Sequence, residues 1–185
     1  MHVVKVMICF FMVILLQSSV FSEDVSMKVV VNQPFLAQSG ESLAGNALVF
    51  PDHFKLYDIT FVAYGFSRKS GDDFDSWLKP FQDRYKDDSN VFFVSIPMIG
   101  KLPKWILKQM KKGMKRGIDV SLHPHQMIYS GNAKLYQDYY GFSNKKRGYF
   151  FLVNSAGTIV WQGEGKSSDD LLKELFLISD SFLLK

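Results

Sequence analysis

The order of apolar patterns along the chain predicts an α/β fold, a three-layer α/β/α sandwich around a mixed central sheet. Two observations carry this. Strand-like apolar runs alternate with helical periodicity, in the order strand, helix, strand, helix, strand, short helix, hairpin, helix. Strands separated by helices pair in parallel, because a parallel crossover needs a long connection. The last two runs are joined by a short turn instead, which makes them an antiparallel hairpin.

Residues 23–50 read as a lead-in and 51–185 as the domain that follows. In the lead-in, Met27–Val31 is a short β-branched run and Gln38–Ser42 a turn-rich gap. Asp58–Phe66, mostly apolar after Asp58, reads as a buried central strand. Asp72–Tyr85 sets Phe74, Trp77, Leu78 and Phe81 at spacings of three and four, which predicts a helix. Pro80 falls inside it, so a kink or break is expected near Lys79. Val91–Ile96 predicts a second buried strand. Leu102–Arg116 predicts a second helix, with Pro103 at a favoured first position. Gln126–Tyr129 reads as a short strand and Ala133–Tyr140 as a short helix stopped by Gly141. Tyr149–Asn154 and Thr158–Gln162 form the hairpin around Ser155-Ala156-Gly157. Ser167 and Asp170 stand at capping-box spacing before a last helix that runs to about Leu184.

Residues 1–22 have the parts of a secretory signal peptide. Lys5 is the basic start, Val6–Leu16 the apolar run, and Val20 and Ser22 take the −3 and −1 positions of a cut before Glu23. The apolar run is short for a membrane-spanning helix, which needs roughly 20 residues. The expected location is therefore secreted or periplasmic, or membrane-tethered if the leader stays. The chain has 22 basic and 18 acidic residues, a net charge of +4. That excess is too mild to point to nucleic acid, which calls for a strong basic stripe. The one cysteine, Cys9, lies in the leader. No disulfide then staples the exported part, and core burial must stabilise it. With 17 Phe, 8 Tyr and 3 Trp, apolar area is ample.

The segment after the first central strand is Gly65-Phe66-Ser67-Arg68-Lys69-Ser70-Gly71. The hairpin is Phe151-Leu152-Val153-Asn154-Ser155-Ala156-Gly157-Thr158-Ile159. Together they resemble the thioredoxin-like superfamily. The resemblance implies a thioredoxin-like sandwich with a Cys-x-x-Cys pair at Ser67 and Ser70, and a cis-proline at Gly148. Serine stands at both cysteine positions, and a hydroxyl cannot replace a thiolate in disulfide exchange. Gly148-Tyr149-Phe150-Phe151-Leu152 leads on to Gly157, Ile159 and Trp161, and Trp77-Leu78-Lys79-Pro80-Phe81 precedes it. These motifs are similar to those of the assembly-factor family for the mitochondrial ATP synthase membrane subunit, the ATPase-complex subunit ten type. That family too looks thioredoxin-like without a redox pair.

The resemblance implies an assembly or folding factor of the envelope that is not an enzyme and needs no cofactor. Its protein client, a membrane protein among the candidates, would lie in a groove at Ser67, Arg68, Lys69, Ser70, Gly148 and Tyr149. Two alternatives come from the residues. His123 and His125, set two apart on an expected extended segment, point to one side and suit copper or zinc. No third ligand is near, so structural or surface roles are expected and no metal is assigned. Lys104, Lys108, Lys111, Lys112 and Lys115 make one basic face of the helix 102–116. Leu102, Trp105, Ile106, Met110 and Met114 are read as the opposite face. The expected arrangement is a solvated charged face over a core-facing stripe; the alternative is an anionic membrane surface or an acidic partner. Tyr136, Tyr139, Tyr140 and Phe142 are expected to pack on the sheet. No phosphate loop, dinucleotide fingerprint or nucleophile elbow is present.

Overall fold

The computed structural model describes residues 27–184; the expected leader, 1–22, lies outside the described residues, as do 23–26 and 185. At the centre is β3 (Ile59–Gly65), buried along its whole length. It pairs in parallel with β4 (Val91–Ile99) and antiparallel with β6 (Gly148–Asn154). Outside these lie the two-residue β5 (Tyr129–Ser130), parallel to β4, and β7 (Ile159–Glu164), antiparallel to β6. The expected mixed sheet is therefore present as five strands in the order β5-β4-β3-β6-β7.

Alternation along the strands sends side chains to two faces. One face carries Ile59, Phe61 and Ala63 of β3 with Phe150 and Leu152 of β6. Two helices cover it, α1 (Gly71–Tyr85) through Trp77, Leu78 and Phe81, and α4 (Asp169–Leu183) through Leu175. The other face carries Val62, Tyr64, Tyr149, Phe151 and Val153. Over it lies α3 (Ala133–Tyr140), which buries Tyr136 and Tyr140 and ends at Gly141 with φ 73°. The tyrosine cluster thus packs on the sheet as expected. In the hairpin, Gly157 takes φ 79° and donates its N–H to Asn154 O at 2.9 Å.

Residues 27–50 finish that second layer, since Met27, Val30, Phe35, Leu48 and Phe50 lie in the same cluster. The local assignments there change. Gln38–Glu41, read as a gap, is β1, paired antiparallel with β2 (Ala47–Phe50). The turn sits later, at Gly45 with φ 96°. Gly40 is needed in β1 because a Cβ there would lie 2.8 Å from Met127 Cγ. Met27–Val31 forms no strand but runs as a strap beside β7. Gln162 Oε1 accepts the Val30 N–H, Glu164 Oε2 accepts the Met27 N–H, and Asn32 N donates to Ile159 O at 2.8 Å. The strand expected at Gln126–Tyr129 shortens for a related reason. Gln126 and Met127 are shared between Leu43 and Ser42 on one side and Ser95 on the other, so no continuous ladder forms.

The break expected at Pro80 does not occur; α1 runs through it. Proline at position 80 has no N–H for the carbonyl of Ser76, four residues earlier. Ser167 supplies the missing donor: its Oγ donates to Ser76 O at 2.8 Å, and its N–H donates to Ser76 Oγ at 3.0 Å. This also moves the cap of α4. Ser167 is occupied here, and Ser168 caps instead, accepting from Leu171 N at 3.4 Å.

Candidate functional site

β3 delivers the chain to the candidate site. Its last residue, Gly65, lies opposite Gly148 of β6. A Cβ on Gly65 would sit 2.7 Å from Ser70 Oγ and 2.8 Å from Phe74 Cζ; one on Gly148 would meet Phe150 Cζ at 2.7 Å. Glycine at both positions lets the sheet end close against α1. Phe66 follows, half-buried, edge-on to Phe142 and Tyr149 at 5.5 and 6.2 Å. Ser67 is extended and exposed, and Arg68–Ser70 make one 3-10 turn into α1.

The two serines are not equivalent. Ser70 is buried, and its hydroxyl donates to Ser67 O at 2.6 Å. Ser67, Arg68 and Lys69 face solvent. Gly148 and Tyr149, also expected in the groove, are buried behind it. The Gly148 N–H is taken by Asp73 Oδ2 at 2.8 Å. The Tyr149 hydroxyl accepts from Asn144 N at 2.8 Å and donates to Asn144 O at 3.1 Å. Burial raises its pKa, so it stays a neutral phenol. Of the expected groove, the part that stands exposed is therefore Ser67-Arg68-Lys69, with half-buried Phe66 beside it. The Asp73 clamp had no sequence signal, since one carboxylate in a first turn reads as helix-dipole complement.

The histidines sit differently from expectation. Val120–His125 is a 3-10 helix and not extended, so residues 123 and 125 do not share a side. His123 Nε2 lies 3.1 Å from Ile118 O, and His125 Nδ1 lies 2.8 Å from Phe93 O. The His125 ring stacks on Phe93 at 3.9 Å. Among the described residues no group of three or more His, Cys, Asp or Glu is placed to hold a metal. Burial lowers the pKa of His125, partly offset by its bond to Phe93, and burial likewise lowers that of His53. Both then bind fewer protons folded than unfolded at pH values just below 6.5. Their contribution is complete above that value and is lost as pH falls through the folded values. The urea midpoint is expected to drop between about pH 7.5 and about pH 5.5, and His53→Gln/His125→Gln should flatten that slope. A wild-type midpoint constant over this range would refute the assignment.

The basic helix is α2 (Lys104–Gly117), with Pro103 as its N-cap. It does not cover the core. None of its residues is buried, and none belongs to either core cluster. Trp105 is 70 % exposed and not on the apolar side. With 3.6 residues per turn, position 105 falls between 112 and 116, within the basic face. Lys104, Lys108, Lys111, Lys112 and Lys115 line a groove against the β1–β2 turn. Among the described residues no helix is long and apolar enough to cross a membrane.

No protein-family model matches the chain, and no curated protein matches its sequence. Solved structures do match. The thioredoxin domain of a thiol-disulfide oxidoreductase from Bacteroides vulgatus superposes with a TM-score of 0.57 at 18 % identity, over 82 % of this chain and 99 % of that one. BsSco, a member of the Sco family of cytochrome c oxidase assembly proteins, gives 0.57 at 15 % identity, over 85 % and 98 %. The exposed lipoprotein thioredoxin Etrx1 from Streptococcus pneumoniae gives 0.51 at 14 % identity, over 75 % and 99 %. None of these supports the likeness to ATP synthase assembly factors. The expectation that the chain is not an enzyme is corrected. Structures that share its fold are thiol-disulfide oxidoreductases, and a missing cysteine pair excludes one reaction, not catalysis. At these identities the likeness shows the architecture: the chain has the thioredoxin-like fold, a mixed five-stranded sheet flanked by helices.

Proposed function

We propose that this chain is an exported thioredoxin-fold protein that holds a segment of a protein client at the Ser67-Arg68-Lys69 end of its sheet while that client assembles or folds. Release of the leader before Glu23 and action in the envelope belong to the same proposal. The observation that carries it is the arrangement of this end. Ser67, Arg68 and Lys69 stand exposed over the closed Gly65–Gly148 pair, with Phe66 half-buried beside them. Two cations and an aromatic side chain around a small-residue floor suit a polypeptide with acidic or carbonyl-rich surface. Contact is through side chains, because Asp73 already takes the Gly148 N–H. The reading draws support from the envelope setting of Etrx1 and from the assembly role of the Sco family to which BsSco belongs. The motifs shared with the ATP synthase assembly-factor family point the same way, without naming the client.

The test is site-specific photo-crosslinking of the full chain in its native envelope, with benzoylphenylalanine at Lys69 or, as control, at Lys55. Lys55 lies in the turn before β3, at the opposite end of that strand. A discrete adduct is expected from position 69 only, and Arg68→Glu should reduce it severalfold. No adduct from position 69, or the same adducts from both positions, would reject the reading.

A further inference from the structure

We propose that the groove between α2 and the β1–β2 turn holds an extended acidic peptide segment of about six residues. This goes beyond the reading above and uses no atom of residues 66–70. The groove encloses about 600 Å³. Lys104, Lys108, Lys111, Lys112, Lys115 and Arg116 line it, with Leu43 and Leu107 as its apolar part. Glu41 is the one carboxylate among the lining residues, 3.7 Å from Lys111.

Charge is the first argument. Between Lys104 and Gly117 the helix has no acidic residue. Its cations repeat four apart at 104 and 108, 108 and 112, 111 and 115, and 112 and 116. Like charges at that spacing repel and destabilise a helix. An ordinary solvated helix offsets this with interleaved carboxylates, and α2 does not. An anionic occupant relieves all four pairs together. Shape is the second argument. The cations border a concave space beside the hairpin turn, which a chain can enter. A flat lipid surface is met best by cations that project outward from a convex helix face. Length is the third. Fourteen helical residues span roughly 21 Å at about 1.5 Å each. An extended chain covers that in about six residues at about 3.3 Å each. An apolar side chain in such a segment has Leu43 and Leu107 to rest on.

Trp105 supplies the readout. It is 70 % exposed, whereas Trp77 and Trp161 are buried, so changes in tryptophan quenching by acrylamide report on α2. The probe is a fluorescein-labelled hexapeptide of four glutamates and two leucines, with glutamines replacing the glutamates as control. It is titrated against the chain lacking its leader, by polarisation, with unlabelled peptide used for quenching. The acidic peptide is expected to bind and to shield Trp105. Raising salt from about 50 to about 300 mM should weaken binding roughly tenfold, because exposed charges are then screened over a shorter distance. Lys108→Gln/Lys111→Gln/Lys112→Gln/Lys115→Gln should weaken it by at least about tenfold with an unchanged circular dichroism spectrum. Glu41→Gln should tighten it about threefold, since it removes the one repelling carboxylate; this variant decides the case if the quadruple variant fails to fold. Absence of binding at low salt, equal binding of the glutamine peptide, or no change with Glu41→Gln overturns the proposal. So does sedimentation with phosphatidylserine vesicles by a protein that ignores the peptide, which would make α2 a lipid-facing helix.

Discussion

Trp77→Ala is expected to lower folding stability by about 3–5 kcal/mol, the range for deleting a fully buried large aromatic. Trp77 is 0 % exposed and lies 5.3 Å from Phe150 and 5.1 Å from Trp161, ring to ring. Its indole N–H donates to Gly165 O at 2.7 Å, so the substitution leaves both a cavity and an unpaired carbonyl. The same residue ties α1 to the segment after β7, where Ser167 fills the gap left by Pro80. Loss at one point therefore strains the other. Urea denaturation checks the value, and the melting temperature should fall by roughly 10 °C. Trp105→Ala is the internal comparison and should cost less than about 0.5 kcal/mol, as an exposed side chain outside the core. Equal melting of the two variants would show that the packing around Trp77 is misassigned.

Gly141→Ala is expected to cost about 1–3 kcal/mol, from backbone strain and a steric clash acting together. The residue has φ 73°, which disfavours any Cβ. A Cβ would also lie 2.7 Å from the backbone N of Lys28, an atom that cannot swing away. That N–H donates to Tyr140 O at 3.1 Å, so the strap is held where the clash would fall. Asparagine tolerates left-handed backbone, yet Gly141→Asn should not rescue stability, because the steric part remains. At Gly45, with φ 96° and nothing within 4 Å of a Cβ, Gly45→Asn should cost much less. Equal effects of asparagine at the two glycines would leave only the dihedral preference as the cause.

The central strands and the helix α1 were legible because burial on both faces writes continuous apolar runs, and one buried face writes a period of 3.6. Asp58–Phe66 shows the first and Phe74, Trp77, Leu78 and Phe81 the second. Gln38–Glu41 was not legible. Its pairing with Ala47–Phe50 is fixed by a turn at Gly45 and by Met127 lying over Gly40, both contacts set by tertiary structure. At Pro80 the sequence reports only the lost N–H, while Ser167, far along the chain, supplies the partner that lets the helix run on. At the candidate site the loop 67–70 was readable from its neighbours in sequence. The burial of Gly148 and Tyr149 was not, since it depends on Asp73 and Asn144 closing over them. Trp105 departs from the expectation that an apolar side chain follows the apolar stripe of α2. Its angular position, read strictly, sets it among the cations.

The strap over β7 has a consequence for self-association. A sheet that ends in a free strand offers a row of unpaired amides and carbonyls to any other extended chain. Here Met27–Gln33 lies along that margin, exchanging bonds with Ile159, Gln162 and Glu164 and leaving little of a continuous template. At the opposite margin β5 is two residues long, too short to seed a ladder. Pro34, bridged to Thr158 just ahead of β7, adds a residue with no N–H to offer at the first margin. Left open, a margin of this kind would invite extended polypeptide to add itself as one more strand.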